Sequence, residues 1–104
     1  MFIKKKWQNI GKIESEAKMV LEGRTFTGNR LLKIHEIRYE NPDVSFSREL
    51  SEALVILCRE MDVPVPMWMK KNTHEFAAFH ITVFFDEQYP EKVDFERFQI
   101  KMTD

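Results

Sequence analysis

The sequence contains a single cysteine, Cys58, so no internal disulfide can form, and this favours a reducing compartment. Its longest uninterrupted apolar run is six residues, from Ala53 to Cys58, whereas a membrane-spanning helix needs about 20. The lysines near the N-terminus are followed by a mixed polar stretch instead of the apolar core of a secretory signal. We therefore expect a cytoplasmic protein that has no membrane partner.

The sequence is also poor in glycine, and all three glycines lie within the first 28 residues: Gly11, Gly23 and Gly28. The remainder therefore lacks a Walker loop, a dinucleotide-binding fingerprint and a kinase-type glycine loop. No serine lies in a G-x-S-x-G context, and the histidines and the cysteine lack the spacing of zinc ligands. We expect no catalytic residues, no metal site and no cofactor. An enzyme ranks third among the functions considered, and a deep pocket that joins His35 to a carboxylate would raise that rank.

Neither sign of charge is in excess, since 16 Lys and Arg stand against 17 Asp and Glu, and the pI is about 6.3. Nucleic-acid-binding domains more often have a basic pI. Two short segments nevertheless combine cations with an aromatic side chain: Lys4-Lys5-Lys6 before Trp7, and Lys70-Lys71 near Trp68. Single-strand binders use such combinations. A nucleic-acid-binding accessory protein is therefore the alternative function.

Length and composition are those of one ordinary domain. The 104 residues are 43% hydrophobic and 32% charged, which lies close to globular averages and suffices for one core. We predict a single domain over residues 1–104 with an α+β fold. An N-terminal β-meander and a C-terminal strand would form a small antiparallel sheet, packed against one main helix and a short second helix.

The first third of the chain carries the pattern of the meander. Apolar and polar residues alternate over 13–22, and Gly28-Asn29 is a two-residue hairpin signal before a return strand over 31–39. Strict pairing from that turn mixes apolar and charged side chains on one face, so we predict a β-bulge at Gly23. The bulge sets Leu21 opposite His35, Met19 opposite Ile37 and Ala17 opposite Tyr39, on the face that also holds Phe26 and Leu31. A helix over 30–40 is the alternative, and residues 1–8 add a short leading strand.

The clearest helix runs from about Phe46 to Met61, after a break at Asn41-Pro42-Asp43. Ser45 or Ser47 can cap it by accepting a hydrogen bond from an otherwise unpaired backbone N–H. Its apolar residues repeat at helical spacing along one stripe, which must cover the sheet. The stripe consists of Phe46, Leu50, Ala53, Leu54, Leu57, Cys58 and Met61.

Val55 and Ile56 interrupt the charged face of this helix. Three interpretations fit them: residues 67–90 fold over them, they form a self-association or partner surface, or they are scattered exposed residues. Their solvent exposure distinguishes the three.

Beyond this helix, Pro64 and Pro66 favour extended backbone. A short helix then ends at about Phe79 or His80, where β-branched residues begin to favour extended structure. A polar loop leads to a last strand over 93–102, which places Phe98, Ile100 and Met102 on one face.

Eight of the thirteen aromatic residues lie between residues 68 and 98. They indicate either a second, phenylalanine-rich layer of core or an aromatic-lined groove, because Phe, Trp and Met anchor binding surfaces. Met67-Trp68-Met69 should be partly exposed. We predict a non-catalytic protein-interaction or self-association module, with a homodimer as one form. Its candidate interaction residues are Val55, Ile56, Met67, Trp68, Met69, Lys70 and Lys71.

Overall fold

The fold consists of four strands and two helices within residues 19–103. The computed structural model describes residues 19–103. Its elements in chain order are β1 (Met19–Thr27), β2 (Arg30–Tyr39), α1 (Phe46–Met61), α2 (Lys70–Phe79), β3 (Ile81–Phe85), a 3₁₀ turn (Asp86–Gln88) and β4 (Arg97–Thr103). The strands form one antiparallel sheet in the order β2-β1-β4-β3. The α+β class is confirmed, while the leading strand over 1–8 and the strand positions before Met19 lie outside the described residues.

β1 and β2 form the predicted hairpin around Gly28-Asn29, where Thr27 pairs with Arg30. Gly28 has a φ of 58°, a conformation that glycine adopts without steric cost. The backbone of Gly28 is also hydrogen-bonded to Arg97, the first residue of β4, and to Glu96, which precedes β4. Its N–H donates to Glu96 Oε1 at 2.7 Å, and its carbonyl accepts from Arg97 Nη1 at 2.7 Å.

The predicted bulge at Gly23 is wrong, because Gly23 pairs regularly with His35, and Leu21 pairs with Ile37. The register shifts between Thr25 and Phe26 instead, where β2 holds the extra residue Leu32. An extra residue in either strand restores the shared face of Leu21 and Ile37, so the sequence pattern alone did not distinguish the two positions.

The placement of the bulge in β2 changes which residues share a face. Met19 pairs with Tyr39, and not with Ile37 as predicted. Phe26 and Leu31 still pair with each other, but strand alternation sets them on the face opposite Leu21, so the prediction that they join the apolar face is wrong.

Gly23 has a different role, which is close contact with α1. A Cβ at this position would lie 2.8 Å from Met61 Sδ, 2.9 Å from Phe98 Cε1 and 3.0 Å from a Leu57 methyl. The missing side chain therefore lets the helix approach the sheet.

α1 has the predicted bounds and the predicted buried stripe, apart from its first residue. Ser45 Oγ accepts from the Arg48 N–H at 3.3 Å, and Asp62 ends the helix in the left-handed region with a φ of 57°. Phe46 was predicted to lie in the core and is exposed, because the first turn of the helix borders an open groove. The other predicted stripe residues are buried: Leu50, Ala53, Leu54, Leu57, Cys58 and Met61.

The C-terminal part contains one strand that the sequence analysis did not assign. The short helix exists as α2, and β3 follows it directly after His80, which is left-handed with a φ of 58°. β4 begins at Arg97 and not at residue 93, because residues 89–96 form a loop that packs Tyr89 against Phe95 at 5.4 Å between ring centroids. Both β3 and β4 contribute a fully buried phenylalanine, Phe84 and Phe98.

Both helices cover the same face of the sheet. α1 packs on β2 and β1, and α2 packs on β3. Thr82 of β3, Ile100 of β4 and Gly23 of β1 form one cross-strand row beneath the helices. β4 lies between the strands that the two helices cover. The helices are therefore spaced apart over the sheet.

Candidate functional site: an apolar groove between the helices

A groove of about 720 Å³ opens between α1 and α2. Its lining is mainly apolar, and its few polar side chains are hydroxyls and one imidazole. The lining residues are Phe46, Ser47, Leu50, Ser51, Leu54, Val55, Val65, Pro66, Trp68, Thr73, Phe76, Ala77, His80 and Met102. Among residues 19–103, no acidic side chain and no lysine or arginine lines it.

The groove follows from the spacing of the helices over four strands. Because α1 covers one pair of strands and α2 covers the far edge, the end of β4 between them is left partly uncovered. Met102 of β4 lines the groove there. Beyond Phe46 and Met102 lies a smaller cleft of about 440 Å³, whose lining includes Glu40 and Glu49.

One wall of the groove is the continuation of the apolar stripe of α1 around the helix. Leu50 and Leu54 belong to the core and also line the groove, while Val55 stands beyond them at 39% exposure. The apolar stripe of α1 is wider than the part of the helix that contacts the sheet. The excess apolar surface faces the gap.

The opposite wall contains Trp68, which three contacts hold in place. Its indole N–H donates to Thr73 Oγ1 at 2.8 Å. Its ring meets Phe76 edge-on at 6.0 Å and packs at a tilt on Phe84 at 5.5 Å between centroids. A buried or half-buried tryptophan with a satisfied N–H is a rigid anchor.

A buried polar network holds this wall against β3. Asn72 lies at its centre: its amide oxygen accepts from the Met69 N–H at 2.9 Å and from Gln88 Nε2 at 3.0 Å. Its amide nitrogen donates to Thr82 Oγ1 at 2.7 Å and to the Val83 carbonyl at 3.2 Å. With both groups of the Asn72 side chain satisfied, the network specifies one position for α2.

Gln88 extends the network to the segment that carries Trp68. Gln88 Nε2 donates to the Met67 carbonyl at 3.1 Å, and the Met67 N–H donates to the Gln88 carbonyl at 2.8 Å. The Pro-rich connection is thus fixed at both backbone groups of Met67, so the wall of the groove is formed before any ligand arrives.

The structure brings together two of the predicted interaction residues, Val55 and Trp68, in the lining of the groove. Ile56 is partly buried against the core and does not line it. The remaining candidates also lie outside the lining. They are Met67 and Met69, both exposed as expected, and Lys70 and Lys71.

The sequence pattern did not predict several of the lining residues, above all Phe46, Val65 and Ala77. A weak signal existed for Val65, an apolar residue between two prolines that cannot be part of a regular element. No local pattern indicates Ala77, because its position depends on the gap between two helices that are far apart in the chain.

The flank of α1 that faces β2 is closed by polar contacts, and we call it the closed flank. Tyr39 Oη donates to Glu52 Oε1 at 2.6 Å, and Asn41 donates to Glu52 and Glu49. The bond from Tyr39 lowers the pKa of Glu52, and the same bond raises the pKa of Tyr39. Lys33 Nζ donates to the Met61 carbonyl at 2.8 Å, where a cation is favourable at the helix C-terminus.

The His35–Glu60 pair and the thiol of Cys58 lie outside the groove. His35 Nε2 lies 2.7 Å from Glu60 Oε1, but the pair is exposed and lines neither of the two cavities described above. Burial raises the pKa of the Cys58 thiol to about 12. Burial also raises the pKa of Tyr89, with a smaller contribution from Cys58. Within residues 19–103, no three His, Cys, Asp or Glu side chains are grouped to hold a metal ion.

Comparisons with known proteins leave the site to be interpreted from its own geometry. No family model, no curated protein and no solved structure matches the chain. Neither helix within residues 19–103 is long and apolar enough to cross a membrane.

Proposed function

We propose that the protein is a non-catalytic interaction module, and that its groove binds an apolar segment of a protein partner. The observation that carries this proposal is the groove itself: a preformed apolar surface with Trp68 as an anchor and Val55 at its edge. Aromatic anchors in a prepared pocket carry most of the binding energy at protein interfaces. The raised pKa of Cys58 and the exposed position of His35 support a role without catalysis.

Self-association is a second form of the same proposal, with another copy of the chain as the partner. Light scattering distinguishes the two forms, because a monomer has a mass of 12.5 kDa and a homodimer has twice that mass. We place the protein in the cytoplasm, and its single cysteine supports this.

Two alanines on α2 offer a matched test. Both Ala77 and Ala78 are exposed, but only Ala77 lines the groove. In Ala77→Trp the indole should occupy the groove, whereas in Ala78→Trp it should extend into solvent. A library of helical peptides is selected on the wild-type protein, and each clone is then measured on both variants.

We expect clones that bind the wild type and Ala78→Trp equally and lose at least about tenfold in affinity for Ala77→Trp. Circular dichroism checks that both variants remain folded. A selection that yields only clones indifferent to Ala77→Trp would reject the groove as the binding surface.

Nucleic-acid binding is the second candidate function, and two contacts favour it. Arg97 lies over the Phe26 ring at 4.5 Å, and Lys71 Nζ lies over the Phe85 ring at 4.8 Å. Phe26 and Phe85 both pair with Arg97, so cations and aromatic rings alternate across the sheet face without helices. Lys70 and Lys4-Lys5-Lys6 with Trp7 complete this candidate, the latter outside the described residues.

A titration with single-stranded oligonucleotides tests the second candidate. Binding through Lys71 and Arg97 should weaken steeply between about 50 and 200 mM salt, because cations that bind phosphates release counterions from the nucleic acid. A Kd unaffected by salt, or no binding at 50 mM salt, would reject it.

A further inference from the structure

The charges around the groove are segregated, and this indicates what fits into it. α1 and α2 together contain four acidic residues, and each is bonded to a group on or near the sheet. Glu49 accepts from the Asn41 N–H, Glu52 from Tyr39, and Glu75 from Thr82, while Glu60 contacts His35. None of these four side chains lines the groove, and Glu49 lines the smaller cleft beyond Phe46.

Cations occupy the outward edge of α1. With about 100° between successive helical residues, Arg48 lies about 20° and Arg59 about 40° from Val55 around the helix axis. Arg48 is largely exposed, with a 3.4 Å contact to Glu52 as its ion pair. For Arg59, the structure gives no side-chain partner within residues 19–103. Val55 lines the groove and neither arginine does. The ion pair with Glu52 directs Arg48 toward the closed flank, so Arg59 is the cation that lies beside the Val55 edge without an ion pair of its own in the described part of the chain.

The edge of α2 is cationic too. Lys70 lies about 20° and His74 about 60° from Ala77 around the helix axis. Both are exposed, and Ala77 lines the groove. Lys71, by contrast, donates to the Val83 carbonyl and covers Phe85 on the side of β3. The exposed cations next to the lining residues of the two helices are therefore Arg59 on α1 and Lys70 on α2, and the imidazole of His74 lies beside Lys70.

We propose that the groove binds an amphipathic helix of a partner protein whose apolar stripe is flanked by aspartate and glutamate. This rests on the proposed function and adds the chemistry of the partner. A helix lies in an apolar groove through residues at i, i+3, i+4 and i+7. Acidic residues beside that stripe meet the cationic edges, whereas lysines there would be repelled. The acidic Glu40 and Glu49 lie in the smaller cleft beyond Phe46, at one end of the groove.

Two synthetic helical peptides with the same leucine stripe test the proposal. One carries glutamate and the other lysine at the flanking positions, and each has a fluorescent label for anisotropy. The wild-type protein should bind the glutamate peptide about tenfold more tightly at 50 mM salt, because several exposed charge pairs add small contributions. The difference should shrink at 500 mM salt, where screening is strong.

A charge-reversal variant sharpens the test. Arg59→Glu with Lys70→Glu should bind the lysine peptide more tightly than the wild type does, and this gain cannot arise from unfolding. The matched control is Arg38→Glu with Lys101→Glu, which changes the net charge equally. Arg38 and Lys101 pair with Val20 and Glu22 on the face of the sheet without helices. The control should keep the wild-type preference.

Each outcome bears on one of the two proposals. Equal affinities, or a wild-type preference for lysine, would overturn the acidic partner, and groove binding would stand if library clones still depend on Ala77. If neither peptide binds and no such clone exists, both proposals fail. A wild-type dimer that Ala77→Trp dissociates would assign the groove to a second copy and would overturn the partner helix.

Discussion

The two flanks of α1 are built in opposite ways. On the closed flank, polar side chains of β2, together with the backbone N–H and the side chain of Asn41, bond to the glutamates and to the C-terminus of the helix. On the flank that faces α2, apolar side chains of the same helix border an open groove. The closed flank completes its contacts within the chain, whereas the groove leaves apolar surface unpaired. The comparison locates the surface that is available to a partner.

The largest effect should come from the network behind the groove. Asn72→Ala removes four hydrogen bonds, two of them buried and two partly buried, and should lower the free energy of unfolding by about 3 kcal/mol. Asn41→Ala on the closed flank is the matched control. Its loss should be much smaller, because the backbone N–H bond to Glu49 remains and Glu52, which loses the side-chain bond, is only partly buried and can bind water. Urea unfolding measures both, and equal losses would break the comparison.

The next effect concerns the contact between α1 and the sheet, on which both flanks depend. Gly23→Ala should lower the free energy of unfolding by about 2 kcal/mol, since the added Cβ meets Met61, Phe98 and Leu57. In Gly28→Ala the added Cβ meets nothing, and the cost of about 1 kcal/mol comes from the positive φ alone. If Gly28→Ala were less stable than Gly23→Ala, the positive φ of Gly28 would matter more than the close packing at Gly23, and these roles of the two glycines would be contradicted.

The smallest effect is on the closed flank and depends on pH. Tyr39→Phe removes the hydrogen bond to Glu52 and should lower the melting temperature at pH 7. The pKa of Glu52 is lowered by folding, so its contribution is present above the ordinary value of 4.5 and is lost as pH falls through the folded pKa. The pKa of Tyr39 is raised by folding. The contribution of Tyr39 to stability is therefore present below the ordinary pKa of 10.0 and is lost as pH rises through the folded pKa.

The melting temperatures of the variant and the wild type should therefore become equal near pH 3 and near pH 11. The affinity of the groove for its ligand should stay unchanged. A difference in melting temperature that is constant from pH 3 to pH 11 would mean that packing of the Tyr39 ring, and not its bond to Glu52, closes this flank.

The sequence predicted the parts of the fold that depend on local periodicity. α1 and its buried stripe are examples, because Leu50, Leu54 and Leu57 recur at helical spacing. The bulge was misplaced because an extra residue at Gly23 or at Leu32 restores the same apolar face. β3 was not assigned as a strand, since five residues directly after a helix give little periodicity.

The candidate site was predictable only in part. Trp68 and Val55 were identified because each is apolar where the local pattern does not need it. The groove that joins them depends on how far apart two helices lie on a four-stranded sheet, which is a non-local property. The distribution of charge around the groove could not be predicted either, because it depends on which group each glutamate contacts in the folded protein.

Methyl NMR during titration with the glutamate-flanked peptide locates the bound peptide on the protein. We expect chemical-shift changes concentrated at Val55, Val65 and Ala77, which line the groove, with little change at Leu31 and Ile34 on β2. Changes concentrated at Leu31 and Ile34, with the groove methyls unaffected, would contradict binding in the groove.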